Sequence, residues 1–249
     1  MKNDYVVEMK GVSKSYGSVK ALTNVNLELR YGEILGLLGD NAAGKSTHMK
    51  ILTGAVLPDG GEIFIGPQRV VFHNPRDSRA LGIEMIYQDL ALFDNLDVAA
   101  NIFAGREHTK SMLGISFLDK KKMYRQTDTL MQKLGIHIES PRKLAVRLSG
   151  GQRHMIAAAR ATGFECKVLI MDEPTAALGI TESNTLLDLI RRLRDQGLSI
   201  ILITHRIPGI LSVGDRLMVL KGGERQGVLE VSKSTLEEVE SLIVKGRVN

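Results

Sequence analysis

A chain of 249 residues, 43% of them hydrophobic and with a net charge of +5, has room for one large domain or two small ones and enough apolar material for a real core. One cysteine, Cys166, excludes an internal disulfide, Met1-Lys2-Asn3-Asp4 lacks the apolar run of a secretory signal, and no apolar run nears the ~20 residues of a membrane helix. Cytoplasmic residence is therefore expected. Lys and Arg are scattered apart from Lys120-Lys121-Lys122, and five Tyr, six Phe and no Trp leave few stacking platforms, so no nucleic-acid partner is expected.

In chain order, Val6-Val7-Glu8-Met9 and Val25-Asn26-Leu27-Glu28-Leu29 alternate as half-buried strands do and read as a small antiparallel sheet. The apolar strand Ile34-Leu35-Gly36-Leu37-Leu38 follows, then a helical segment from Ser46, then Glu62-Ile63-Phe64-Ile65 beyond the turn Pro58-Asp59-Gly60-Gly61. Asn74-Pro75 opens a short helix that stops near Gly82, and 83–87 reads as a strand ending at Gln88. Over 96–148 the strand signal disappears, and Met123, Thr127, Leu130, Met131 and Leu134 share a helix face that Gly135 closes. The parallel-sheet pattern returns at Val168-Leu169-Ile170-Met171, passes through a helix carrying Leu186, Leu187, Ile190 and Leu193, and reaches Ile200-Ile201-Leu202-Ile203. A hairpin around Lys221-Gly222-Gly223-Glu224 and a helix from Thr235 finish the chain.

Gly39-Asp40-Asn41-Ala42-Ala43-Gly44-Lys45-Ser46-Thr47 lies between a strand and a helix and fits the phosphate-loop pattern G-x-x-x-x-G-K-[ST]. The glycines let backbone N–H groups wrap a polyanion, the helix start aims its positive end at it, Lys45 would reach the β and γ phosphates, and the Ser46 hydroxyl would ligate Mg²⁺. Asp172 and Glu173 end the 168–171 strand, where ligands sit in doubly wound sheets. Asp172 would hold the Mg²⁺ shell, and Glu173 would orient or deprotonate the water that attacks the γ-phosphate of ATP. Leu148-Ser149-Gly150-Gly151-Gln152 precedes a helical run, and accident accounts for such a match in fewer than about one chain in a thousand. Ser149 stands where an N-cap would, and the glycines expose the backbone N–H groups behind it, making a second phosphate receptor from 149–152. Two receptors far apart in sequence are explained most simply by a head-to-tail homodimer, each nucleotide clamped between the loop of one copy and the Ser149 segment of the other.

These motifs, in this order, resemble those of ABC transporter ATP-binding subunits along nearly the entire chain. The resemblance implies an α/β P-loop NTPase fold with a mixed, largely parallel sheet core, a small antiparallel β-subdomain and a helical insert. It is expected as a single unit, with 1–95 and 160–249 as the ATP-binding core and 96–159 as the helical part. It further implies that Tyr16 stacks on adenine, that Gln88 contacts Mg²⁺ and the membrane partner, and that His205 holds the γ-phosphate. The stretch from Gly82 through Tyr87-Gln88-Asp89-Leu90-Ala91-Leu92 to Asn101-Ile102 is similar to ATPases of bacterial monosaccharide importers of the ribose, xylose and fructose group. That similarity implies integral membrane permease subunits as partners and, indirectly, a periplasmic or extracellular sugar-binding protein.

Three positions depart from the family pattern. Ala42 replaces a common loop glycine, and a helix-compatible φ is expected there. Gly179 stands where most relatives carry an aspartate that signals between subunits, and His48 replaces an apolar residue in the first turn of the loop helix. Two other readings stay open: a soluble ATPase of the same family acting on nucleic acid or ribosomes, and a non-catalytic nucleotide-dependent interaction module.

Overall fold

The computed structural model describes residues 4–112 and 115–246, so residues 1–3 of the segment read above for a leader lie outside the described residues. Strands β1 (Tyr5–Tyr16) and β2 (Val19–Arg30) pair antiparallel, each twelve residues long. Register shifts along the pair bend it, which is how strands of this length fold over a core and not past it. Strand β3 (Ile34–Leu38) is buried at every position, as a strand covered on both faces must be. It delivers the chain to helix α1 (Lys45–Leu52). Strands β4 (Gly60–Ile65) and β5 (Gln68–Val70) complete a four-stranded sheet in the order β2-β1-β4-β5. Helix α2 (Pro75–Ala80) starts where expected because Asn74 and Asp77 form a reciprocal capping box with Pro75 at the first helical position. Strand β6 (Ile83–Ile86) ends one residue sooner than the sequence suggests.

The stretch expected to be purely helical contains a hairpin. After α3 (Val98–Ile102) come β7 (Thr109–Met112) and β8 (Ile115–Leu118), an isolated antiparallel pair, before α4 (Lys120–Leu134) and α5 (Gly150–Thr162). Four-residue strands whose described side chains are exposed carry almost no burial periodicity, so composition gives little sign of them. Asn101 anchors the entry to this region: fully buried, it accepts from Phe93 N–H and donates to the carbonyls of Phe93, Leu96 and Asp97.

Strands β9 (Val168–Asp172) and β10 (Ser199–Ile203) flank α6 (Ile180–Asp195), followed by α7 (Ile207–Val213), β11 (Arg216–Lys221), β12 (Glu224–Glu230) and α8 (Leu236–Lys245). The main sheet runs β12-β11-β3-β10-β9-β6, parallel except for the β11–β12 hairpin. Alternation along each strand feeds two cores. Leu169, Met171, Ile200 and Leu202 face a core shared with α5 and α6, while Val168, Ile170, Ile201 and Ile203 face α1 and the antiparallel sheet. Each such fully buried aliphatic side chain contributes about 1.5–3 kcal/mol. Gly36 is required by packing: a Cβ there would lie 2.5 Å from Ile210 and 2.7 Å from Leu217, so only glycine lets α7 sit on β3. A buried ion pair, Arg216 with Glu33, ties the amino ends of β11 and β3.

Candidate functional site

Sheet order decides which loops meet. Strands β3, β10, β9 and β6 are consecutive neighbours and parallel, so the segments leaving their carboxyl ends lie side by side. Those segments carry the 39–47 loop, His205, the pair Asp172 and Glu173, and Gln88. Positions scattered over the sequence thus share one edge, and the pairing of Ile203 with Asp172 brings the segments that follow, with Glu173 and His205, side by side.

The loop itself is a cradle of backbone. Gly39 has φ 144 and Gly44 φ 100. A Cβ at Gly39 would lie 2.1 Å from the Leu220 carbonyl, and one at Gly44 would lie 2.6 Å from that of Ala21. Side chains are therefore excluded on both flanks. The floor is braced from the far end of the chain: Gly223 N–H donates to Ala43 O (3.2 Å), and Thr23 N–H donates to Gly223 O (2.8 Å). Helix α1 begins at Gly44 with no side-chain cap and no acid in its first turn, which leaves its N–H groups free for an anion. Lys45 curls over the loop and donates to the carbonyls of Gly39 (2.6 Å) and Asp40 (3.0 Å). Burial pulls its ammonium below the ordinary lysine range, opposed by the negative charges of Glu173, Asp172 and Asp40. Asn41, Ala42 and Ser46 are exposed, with Thr47 half-buried beside them.

Ala42 corrects the sequence-based expectation. Its φ is 67, in the left-handed region and not the helical one, so the methyl costs about 1 kcal/mol relative to glycine. The turn that sends Ala43 N–H back to Asp40 O imposes that φ whatever residue stands there.

Burial raises the Asp172 carboxyl, and the adjacent Glu173 charge raises it further. Glu173 also has positive φ, 49, strain that persists only where the surroundings fix it: its N–H extends the ladder to Ile203 O (2.9 Å). One carboxylate oxygen, Oε1, meets His205 Nδ1 at 2.8 Å. The other, Oε2, is buried and has no protein partner. His205 is largely exposed while Glu173 is not, so the imidazole bridges the buried acid to the surface. The arrangement is an acid oriented by a histidine, with one oxygen uncommitted. Gln88 is exposed in the segment after β6, and Tyr16 stands 48% exposed at the end of β1 with the Lys14 ammonium 5.7 Å from its ring centre.

Residues 149–152 form the start of α5. Ser149 Oγ accepts from Gln152 N–H (3.3 Å) and the Gln152 side chain accepts from Ser149 N–H (3.2 Å), a complete capping box. Gly150 is exposed and Gly151 buried. Among the described residues, the hydrogen bonds of this segment run to α5 itself and to Glu182, and no hydrogen bond joins the two motif segments within one chain.

Two residues passed over in the sequence bear on the site. Glu182, in the first turn of α6, accepts from Gly151 N–H at 3.2 Å. Arg160, from the last turn of α5, donates to Leu90 O (2.6 Å) and Ala91 O (2.8 Å), fastening the segment after Gln88 to the helix that carries Ser149. An acid in a first helical turn and a base in a last one are ordinary helix-end residues, so nothing in the sequence singled them out.

The residues fit ATP with Mg²⁺ on three counts: a cradle a Cβ would fill, an uncapped helix start, and a buried carboxylate oxygen without a partner. No group of three His, Cys, Asp or Glu side chains suited to a metal occurs among the described residues. A 650 Å³ cavity bounded by Cys166, Lys167 and Ser199 opens at the opposite, amino-terminal ends of β9 and β10, and none of the motif residues lines it.

The ABC transporter family model matches residues 22–176. The xylose/arabinose import ATP-binding protein of Sulfolobus acidocaldarius is 42% identical over 247 residues, 98% of this chain and 97% of that one. The fructose import ATP-binding protein of Rhizobium meliloti is 41% identical over 242 residues, 96% and 93% of the two chains. Among solved structures, cbiO1 from Clostridium perfringens, described as part of the ABC transporter complex cbiONQ, superposes with a TM-score of 0.81 at 25% identity, covering 97% of this chain and 96% of that one. With the site's geometry, these matches show that the chain belongs to the ABC transporter family, as one of its ATP-binding cassettes.

Proposed function

We propose that the chain hydrolyses ATP to drive a monosaccharide importer, working as a head-to-tail pair of copies. The observation that carries this reading is the separation of the two receptors: the loop at 39–47 holds everything needed to bind a triphosphate, and the matching helix start at Ser149 makes no contact with it. A second copy, turned head to tail, supplies the missing wall. Closure then depends on the γ-phosphate, and its loss removes the charge that bridges the seam.

Within each site Lys45 and the loop N–H groups hold the β and γ phosphates, Tyr16 stacks on adenine, and Ser46, Asp172 and Gln88 would hold Mg²⁺. When bound, that ion would supply neutralisation of the phosphate charge. His205 fixes Glu173 through Oε1, which leaves Oε2 to take the proton of the attacking water, and the exposed edge of the same imidazole reaches the γ-phosphate.

No helix among the described residues is long and apolar enough to cross a membrane. Output passes instead through a 430 Å³ groove between the sheet and the helical region, bounded by Met85, Tyr87, Phe93 and Phe164, with Glu84 joined to Arg106 at 2.6 Å on its rim. Tyr87 and Phe93 are 40% and 53% exposed there, as apolar anchors for a permease segment are. This would hold the cassette at the cytoplasmic face of the membrane. The sugar reaches the permease from a binding protein on the other side. Substitution E173Q is expected to leave ATP binding intact, lower multiple-turnover phosphate release by about 10²- to 10⁴-fold, and trap a dimer in Mg·ATP. Undiminished turnover in E173Q removes Glu173 from this role.

A further inference from the structure

Gly151 N–H is the donor that the second copy's γ-phosphate would approach, and within the single chain it is already engaged. Glu182 Oε1 accepts from it at 3.2 Å. The fit is close: a Cβ on Gly151 would lie 3.1 Å from both Cβ and Cγ of Glu182, and one on Gly150 would lie 4.0 Å from its second carboxylate oxygen. The Gly151 N–H, followed by the Ser149 hydroxyl, draws the Glu182 carboxyl below the ordinary range, so it carries its charge throughout neutral pH. The chain therefore places an anion of its own on the helix start built to receive one.

Resting on the two-copy reading above, we infer that Glu182 is an internal stand-in for phosphate, seated on the Ser149 helix while the copies are apart and displaced when they close on ATP. Two anions cannot share one N–H, and their repulsion makes retention of both unfavourable. Glu182 is only half-buried, and a 200 Å³ cavity lined by Glu182, Gly151, Gln152, Met155 and Thr185 gives its side chain room to withdraw.

The location of Glu182 gives displacement a second effect. Residues 174–179 run from Glu173 directly into the first turn of α6, and Gly179 caps that helix with no side-chain bond. A shift at Glu182 is thus passed to the segment behind the same chain's own base. Receipt of phosphate at one site is reported to the other along a six-residue path in which Gly179 supplies no signalling carboxylate and Glu182 does.

The test is sedimentation of E173Q in Mg·ATP beside E173Q/E182Q and E173Q/E182A, with melting temperatures measured without nucleotide. A carboxylate at a helix start shifts an equilibrium by roughly twofold to fivefold, and a dimer carries two. Both double variants are therefore expected to dimerise about tenfold more tightly than E173Q, with ATP affinity of the monomer unchanged. Were Glu182 only a clamp for the helix start, its removal would loosen the dimer. Unchanged or looser dimers in the double variants overturn the inference alone. An E173Q protein that stays monomeric in ATP overturns the two-copy reading and this inference with it.

Discussion

Helices α1 and α5 both begin at a segment proposed to receive a phosphate, and they are prepared in opposite ways. At α1 the helix start is bare: Gly44 caps it with no side chain, no acid enters its first turn, and Lys45 folds back on the loop carbonyls. At α5 the start is satisfied three times over, by Ser149, by Gln152 and by Glu182. A receptor that must capture ATP unaided is left with unmet donors. One that must engage only when a second copy arrives is kept stable alone, so that engagement is an exchange of partners and not a free gain.

The largest effect that can sharpen this contrast lies behind the bare helix. His48 is fully buried and neither ring nitrogen has a partner, so burial lowers it from 6.5 to about 4. The folded chain holds it neutral, whereas the unfolded chain takes up a proton below 6.5. Its contribution is complete above pH 6.5 and is lost as pH falls toward 4, amounting to about 3 kcal/mol. Urea unfolding of wild type and H48L between pH 7 and pH 4 is expected to diverge by that amount, wild type losing more. Parallel pH dependence would mean that the ring has a partner after all.

Next comes the capped helix. S149A removes one half of the capping box and is expected to cost about 1 kcal/mol of stability, seen as a drop of a few degrees in the melting midpoint. ATP binding to the monomer should be untouched, because Ser149 and the loop are separate within one chain. A matching loss in monomer affinity would break the contrast. Smallest is A42G, which relieves the positive φ and is expected to stabilise the protein by up to about 1 kcal/mol, less the entropy that glycine adds to the unfolded chain. A lower midpoint for A42G would show that the methyl is packed and not strained.

The motifs were readable because each depends on local chemistry. Gly39 through Thr47 and Ser149 through Gln152 are short strings whose backbone demands leave little choice of residue, and β9 and β10 announce themselves by unbroken apolar runs. What escaped depends on distant neighbours. The hairpin β7–β8 exposes its described side chains and so has no burial pattern. Ala42 takes its φ from the closure of a turn. Glu182 acquires its role from a glycine 31 positions away, and Arg160 from carbonyls some 70 positions away. Contacts of that kind are created by the fold, and sequence spacing carries no record of them.

The bracing of the phosphate loop by Gly223 bears on how the protein is made. Ala43 leaves the ribosome long before Gly223 does, and until the β11–β12 hairpin docks, the loop lacks the donor that holds its floor. A nascent cassette thus holds its nucleotide cradle without that brace until a segment some 180 residues later in sequence has been made and docked.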